Sequence, residues 1–258
     1  MWSPAECVRG TVLVTGGSKR IGREICLRLS EEGFSIAIHY RSSEIEANQL
    51  VEQIESNGGK ACSLYCDLSD SDSVKGLIHE ATDSLGTVVG LVNNASLFSF
   101  DRIESLSEEL WTEHMKVNAF SPLVLIGELS KSAGDSWVVN LLDFKVESPN
   151  ADYLSYTGSR FAMYGLTSAL AIDLAPKIRI NSVAPGHVLT SDILDEDSLK
   201  AVQKQSPLGF GPSEKDVSDA VVFLANSPSI TGQTIFVDSG ERFRQVGKDP
   251  AFDEGLKF

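Results

Sequence analysis

The chain has 258 residues, 42% of them apolar and 22% charged. That balance suits a globular protein with a substantial core and excludes a disordered chain, a collagen or a coiled coil. Lys and Arg total 22 against 36 Asp and Glu, a net charge of −14, which speaks against non-specific nucleic-acid binding and against docking on an anionic membrane. No apolar run approaches the ~20 residues of a membrane helix, and no basic segment with a long apolar core marks a secretory signal. The cysteines Cys7, Cys26, Cys62 and Cys66 form no C-x-x-C pair and have no His at ligand spacing. They read as free thiols in a reducing, cytoplasmic setting, with no metal bound.

Short apolar runs alternate with longer helical patterns. Strands are predicted at Thr11 to Thr15, Phe34 to Tyr40, Ala61 to Cys66, Val88 to Asn93, Trp137 to Leu142, Ile178 to Ala184 and Thr234 to Val237. Between them, helices are predicted near Arg20 to Glu32, Glu44 to Ser56, Ser71 to Ser84, Ser107 to Asn118, Pro122 to Ser132, Tyr153 to Leu174 and Glu214 to Ala225. Runs such as Val12-Leu13-Val14 are apolar without alternation, as in a strand covered on both faces. The order implies βαβ units around a parallel sheet, an α/β doubly wound Rossmann domain. No composition break divides the chain, so residues 1–258 read as one domain with a core at about 10–240. Gly186 to Gly211 shows no strong pattern and reads as a solvated loop or a substrate lid.

Thr15-Gly16-Gly17-Ser18-Lys19-Arg20-Ile21-Gly22 joins the first strand to the first helix. A dinucleotide pyrophosphate can rest on a helix N-terminus at such a turn, because glycine lets backbone and phosphate approach closely. The second strand selects the cofactor. An acid at its end would bind the ribose 2′-hydroxyl of NAD, but this strand ends His39-Tyr40-Arg41-Ser42-Ser43. Arg41 and Arg20 could hold a 2′-phosphate by charge-assisted hydrogen bonds, helped by Ser42 or Ser43, which points to NADP(H).

These residues resemble the short-chain dehydrogenase/reductase family. The turn matches its T-G-x-x-x-G-x-G motif with Arg20 at the middle glycine, and that replacement together with H-Y-R-S-S is similar to the pteridine and dihydrofolate/dihydromonapterin reductases. Asp67 matches the adenine-side acid, Asn93-Asn94-Ala95 the N-N-A-G element with Ser96 for glycine, Asn118 the helix asparagine, and Pro185-Gly186 the P-G after the sixth strand. The resemblance implies strand order 3-2-1-4-5-6-7. It also implies a cofactor site including Thr15, Gly16, Ser18, Arg20, Ile21, Gly22, Tyr40, Arg41, Ser42, Ser43, Asp67, Leu68, Asn94, Ala95, Arg160, Pro185 and Gly186.

Tyr156 and Arg160 fall where the family has Y-x-x-x-K, four apart on one helix face. The resemblance makes Tyr156 the proton donor and gives Arg160 the lysine's place at the nicotinamide ribose. Arginine keeps the positive charge that favours a phenolate but cannot relay a proton. Asp143 stands where the family serine is usual, 13 residues before the tyrosine, as in the pteridine reductases. A carboxyl there can hold a pterin N–H and take part in protonating a ring nitrogen. Ser96-Leu97-Phe98 resembles the run in which an aromatic stacks on the pterin.

The expected catalytic set is Tyr156, Asp143, Arg160 and Asn118, the last supporting a water relay; the expected substrate contacts are Arg20, Ser96, Phe98, Asp143 and Tyr156. The function expected is NADPH-dependent reduction of a small pterin-like or dihydrofolate-like substrate. The alternatives are a 3-oxoacyl-acyl-carrier-protein reductase or other carbonyl reductase, and a cofactor-binding protein that lost catalysis with Arg160. The resemblance further implies a homotetramer or homodimer with the helix near Tyr153 to Leu174 in an interface.

Overall fold

The computed structural model describes residues 9–132, 134–190 and 194–244. Cys7, the middle of the predicted lid at 191–193 and the tail at 245–258 lie outside them. In chain order the elements are β1 (Thr11–Val14), α1 (Arg20–Glu31), β2 (Ser35–Tyr40), α2 (Glu44–Ser56), β3 (Ala61–Tyr65), α3 (Ser71–Leu85), β4 (Val88–Asn93) and α4 (Glu108–Met115). There follow a π-helical turn (Lys116–Phe120), α5 (Ser121–Ser132), β5 (Ser136–Leu141), α6 (Leu154–Asp173), β6 (Ile178–Pro185), α7 (Glu196–Lys204), α8 (Glu214–Ala225) and β7 (Thr234–Val237).

The strands form one parallel sheet, order β3-β2-β1-β4-β5-β6-β7. This is the order the family resemblance implies. Successive side chains of a strand leave opposite faces, so each central strand feeds two apolar layers. Val12, Val14, Ile36 and Ile38 pack with Ile25 and Leu29 of α1, Leu50 of α2 and Val217 and Val221 of α8. Leu13, Ala37, Leu91 and Val138 pack with Leu77 and Ile78 of α3, Leu125 and Leu129 of α5 and Ala171 of α6. Polar side chains buried on the strands pair with one another or with α6, as in Asn93–Asn140 and Asn140–Thr167–Ser182.

Two elements depart from the sequence expectation. The helices predicted on either side of position 120 join through the π turn, where the Ser121 N–H donates to the Lys116 carbonyl, five residues back. Pro122 supplies the reason: it has no N–H to give the Asn118 carbonyl, its partner in a regular α-helix. The second departure is α7, inside the segment expected to be a loop or lid. Asp195 caps it, its Oδ1 accepting from the Ser198 N–H at 2.8 Å, and Leu199 and Val202 bury one face with Leu194.

Candidate active site

The C-terminal ends of β1, β4, β5 and β6 open into a cleft of about 540 Å³, at the point where the sheet order reverses. Its floor at one end is the glycine-rich turn. Gly16 takes a φ of +61°, and a Cβ on Gly22 would lie 2.2 Å from the Gly16 carbonyl oxygen, so neither position has room for a side chain. Three side chains lock this turn. The Thr15 hydroxyl accepts from the Asn94 and Ala95 N–H groups at 2.9 and 3.0 Å. The Asn94 amide donates to the carbonyls of Thr15 and Gly16 at 2.9 and 3.0 Å. The Gly16 N–H donates to His39 Nδ1 at 3.0 Å.

Thr15 and Ser18 are buried beneath the turn, while Gly16, Arg20, Ile21 and Gly22 line the cleft. Arg20 has a left-handed φ of +54°, a conformation natural to glycine and a physical reason for the glycine in the family motif. Its guanidinium donates to the Thr190 carbonyl on the opposite wall at 2.6 Å. Arg20 and Arg41 line the same cleft. Arg41 lines the cleft and is exposed, as is Ser42, with Ser43 half-buried at the start of α2. Tyr40 packs edge-on against Tyr65 instead of lining the cleft. Asp67 and Leu68 lie on the adjoining wall. The Ser69 N–H holds the Asp67 carboxyl below its ordinary range, assisted by the Arg41 charge.

At the other end stand Ala95, Ser96, Phe98, Asp143, Tyr156, Arg160, Pro185 and Gly186. Tyr156 donates its hydroxyl proton to Asp143 Oδ2 at 2.8 Å, and Asp143 Oδ1 accepts from the Lys145 N–H at 2.9 Å. Burial first, and the Asp143 charge second, push the Tyr156 pKa up, while Arg160 pulls it down. The Arg160 guanidinium lies 5.1 Å from the Tyr156 ring centroid and donates from Nη1 to the Leu141 carbonyl at 3.0 Å. Phe98 is 46% exposed. It stacks on Tyr153, centroids 4.2 Å apart at 16°, and meets Tyr156 edge-on at 4.7 Å.

Asn118 sits in the π turn, 1% exposed. Its Oδ1 accepts from the Leu97 N–H at 2.7 Å, and its Nδ2 donates to the Leu97 carbonyl and to Ser159 Oγ. The side chain thus ties the Phe98 loop to α6. Asp101, which sequence reasoning missed, does the same for the helix start: its carboxylate accepts the Ser155 N–H at 3.0 Å, satisfying a free donor of α6 and fixing the register of Tyr156 and Arg160. Tyr153, Phe144, Lys145 and His39 also line the cleft without having been predicted to do so. Nothing local in the sequence marks the left-handed φ of +60° at Tyr153. Among the described residues no group of His, Cys, Asp and Glu gathers as a metal site.

The residues present fit a dinucleotide. The turn offers backbone where side chains cannot stand, and the buried Arg160 Nε has no hydrogen-bond partner within the protein, as expected of a group kept for a ligand.

His39 generates a test. Its Nδ1 accepts from Gly16, so Nε2 carries the proton and donates to the Cys66 carbonyl at 3.0 Å. Burial pushes its pKa down. The unfolded chain takes up a proton near pH 6.5 that the native imidazole refuses. His39 therefore contributes full stability above that pH and loses it as pH falls through the folded pKa. Urea unfolding at pH 7.5 and 5.5 should show lower stability at the acid pH and a smaller loss in His39→Gln. An equal loss in the two proteins would remove His39 as the cause.

Comparison with known proteins agrees with this geometry. The model of the short chain dehydrogenase family matches residues 10–200. The 3-oxoacyl-acyl-carrier-protein reductase FabG of Staphylococcus aureus is 31% identical over 240 residues, covering 89% of this chain and 97% of that protein. Among solved structures, FolM alternative dihydrofolate reductase 1 from Brucella canis, complexed with NADP, superposes with a TM-score of 0.90 at 35% identity, covering 95% of this chain and 98% of the other. A blue fluorescent protein from a metagenomic library, in complex with NADPH, gives 0.84 at 30% identity, covering 91% and 98%. With the glycine turn, the tyrosine helix and the sheet order in place, the chain is an oxidoreductase that belongs to the short-chain dehydrogenase/reductase family.

Proposed function

We propose that the protein is an NADPH-dependent reductase of a flat, N–H-bearing heterocycle of the pterin or dihydrofolate class. The observation that carries this reading is the Asp143 carboxylate 2.8 Å from the Tyr156 hydroxyl. A carboxylate only accepts hydrogen bonds. Beside a ketone it would repel the oxyanion that forms, where a hydroxyl would stabilise it. Beside a pterin it can accept a ring N–H or amino group and hold the ring against Phe98. The name of the Brucella canis structure supports the same class.

Bound NADPH would lie along the turn from Arg41 to Arg160 and would supply the hydride that forms the new C–H bond. Tyr156 holds a proton at its hydroxyl across the neutral range, because burial disfavours the phenolate. Its release to the substrate ring nitrogen balances the reduction of a C=N bond, and the Arg160 charge stabilises the phenolate until solvent returns the proton. Phe98 and Tyr153 form the aromatic wall of the pocket.

Cofactor choice is tested by Arg41→Ala. Losing one charge-assisted contact costs about 1.5–3 kcal/mol, roughly tenfold to a hundredfold in NADPH affinity, with NADH affinity nearly unchanged. Equal losses for both cofactors would refute the 2′-phosphate assignment.

Substrate class is tested by following NADPH oxidation with dihydrobiopterin, dihydrofolate and a ketoacyl thioester in parallel. The pterin-type substrates should be reduced, Tyr156→Phe should lose about a hundredfold or more in turnover with NADPH still bound, and Asp143→Ser should impair pterin reduction. Good thioester reduction with no pterin turnover would overturn the reading. No turnover in the wild type, with turnover gained in Arg160→Lys, would show a binding protein that lost catalysis.

The reading includes self-association as a dimer or tetramer. Trp111 of α4, Phe120 of the π turn and Phe161 and Ile172 of α6 are 39, 51, 41 and 82% exposed. α4 and α6 are in contact, since a Cβ on Gly158 would lie 2.8 Å from the Trp111 ring. Such apolar exposure on packed helices suits an interface. Sedimentation should give two or four chain masses, falling in Phe120→Glu/Phe161→Glu. A wild-type monomer at micromolar concentration would end this part of the reading.

A further inference from the structure

Phe98 stands half-exposed in the cleft, on a connection between β4 and α4 that belongs to no helix or strand. Burial holds its ring only in part, but its backbone is held on both sides. The peptide unit before Phe98 is fixed by Asn118, whose Nδ2 donates to the Leu97 carbonyl at 2.9 Å. The peptide unit after it is fixed by His114, whose Nε2 accepts from the Ser99 N–H at 3.2 Å. A peptide unit is planar, so holding one on each side of a residue sets its φ and ψ, and with them the direction of its Cβ.

His114 and Asn118 are four residues apart, near the end of α4 and in the π turn, so both reach the same stretch of loop. His114 is 0% exposed. A buried imidazole is costly unless its nitrogens are hydrogen-bonded. Here Nδ1 lies 2.8 Å from the Leu110 carbonyl, which can only accept, and Nε2 faces the Ser99 N–H, which can only donate. Those two partners require the neutral ring with its proton on Nδ1. One bond turns the ring on its own helix, and the other reaches the loop. The proposed reaction itself makes no use of this histidine.

We propose that His114 is a positioning residue for substrate recognition: with Asn118 it clamps the two peptide units around Phe98, so that the ring already faces the cleft before substrate arrives. The proposal rests on the functional reading above, in which Phe98 is a wall for a flat heterocycle. Binding then orders no loop, and none of the stacking energy is lost to that ordering. The seat of the ring agrees with a preset direction, since it stacks on Tyr153 and meets Tyr156, the proposed proton donor, edge-on.

The test is a double-variant cycle in the full chain. His114→Leu keeps an apolar side chain in the buried position and removes the acceptor; His114→Gln returns an acceptor oxygen. Losing this hydrogen bond should raise KM for dihydrobiopterin roughly threefold to tenfold in His114→Leu, with a smaller change in kcat. The Kd of NADPH, read by fluorescence, should not move, and His114→Gln should recover part of the KM. Added to Phe98→Ala, His114→Leu should raise KM little further, because the ring it positions is gone. With a wild type that reduces dihydrobiopterin, an unchanged KM in His114→Leu overturns this inference alone. So does a full additional rise in the Phe98→Ala background or a parallel rise in the NADPH Kd, either of which would place the effect of His114 elsewhere. A His114→Gln that loses as much as His114→Leu overturns it as well. A wild type that reduces no dihydropterin overturns the functional reading, and this inference with it.

Discussion

The pairing of β1 with β4 is the constraint on which the site depends. The chain lays β1, β2 and β3 outward to one side, then returns to start the other half of the sheet against β1. The connections leaving β1 and β4 must diverge there, and a crevice opens between them. The Thr15 hydroxyl bridges its two lips by accepting two N–H groups from beyond β4. His39 reaches the same turn from β2 and anchors it to the end of β3 through Cys66. Four strand ends are thus tied together by buried hydrogen bonds, and a glycine-rich turn of little intrinsic rigidity becomes a fixed surface. In this cleft the groups named as cofactor ligands matter less for rigidity than those behind them.

The same division recurs at the reacting end. Tyr156 and Arg160 face the cleft because α6 begins where it does. Asp101 binds its N-terminus, and Ser159 receives the Asn118 amide from the π turn. The π turn itself follows from Pro122, which cannot donate where a regular helix requires it. Asp143 is oriented by a backbone N–H two residues on. Each side chain proposed to react therefore has a partner that positions it, which keeps the geometry independent of a flexible loop.

The strands and most helices were legible because both faces of the sheet are covered, so apolar runs mark them directly. The sites at the glycine turn and at Tyr156 were legible because their chemistry needs fixed spacing within one segment. What escaped were contacts made across the fold. His39 and Asp101 carry no local signature, since their partners lie on other elements. Arg20 shows the limit from the other side. Its charge was plain in the sequence, but its direction depends on a left-handed backbone and on a carbonyl 170 residues away. α7 was missed for a different reason: Asp195, Leu199 and Val202 carry a cap and an apolar face, but over only nine helical residues, too short to stand out from an acidic loop.

Arg160 brings these strands of argument to one residue. Lysine in its place would present a compact ammonium on a mobile stem. Arginine instead spends one nitrogen on the Leu141 carbonyl at the end of β5, which fixes the plane of the guanidinium beside the Tyr156 ring. Its charge lowers the Tyr156 pKa against burial and Asp143, which raise it. The substitution therefore exchanges a proton-carrying group for a permanent electrostatic one. In the proposed reaction the tyrosine proton goes to the substrate nitrogen and is returned from solvent, so no step of it needs a proton carried by position 160.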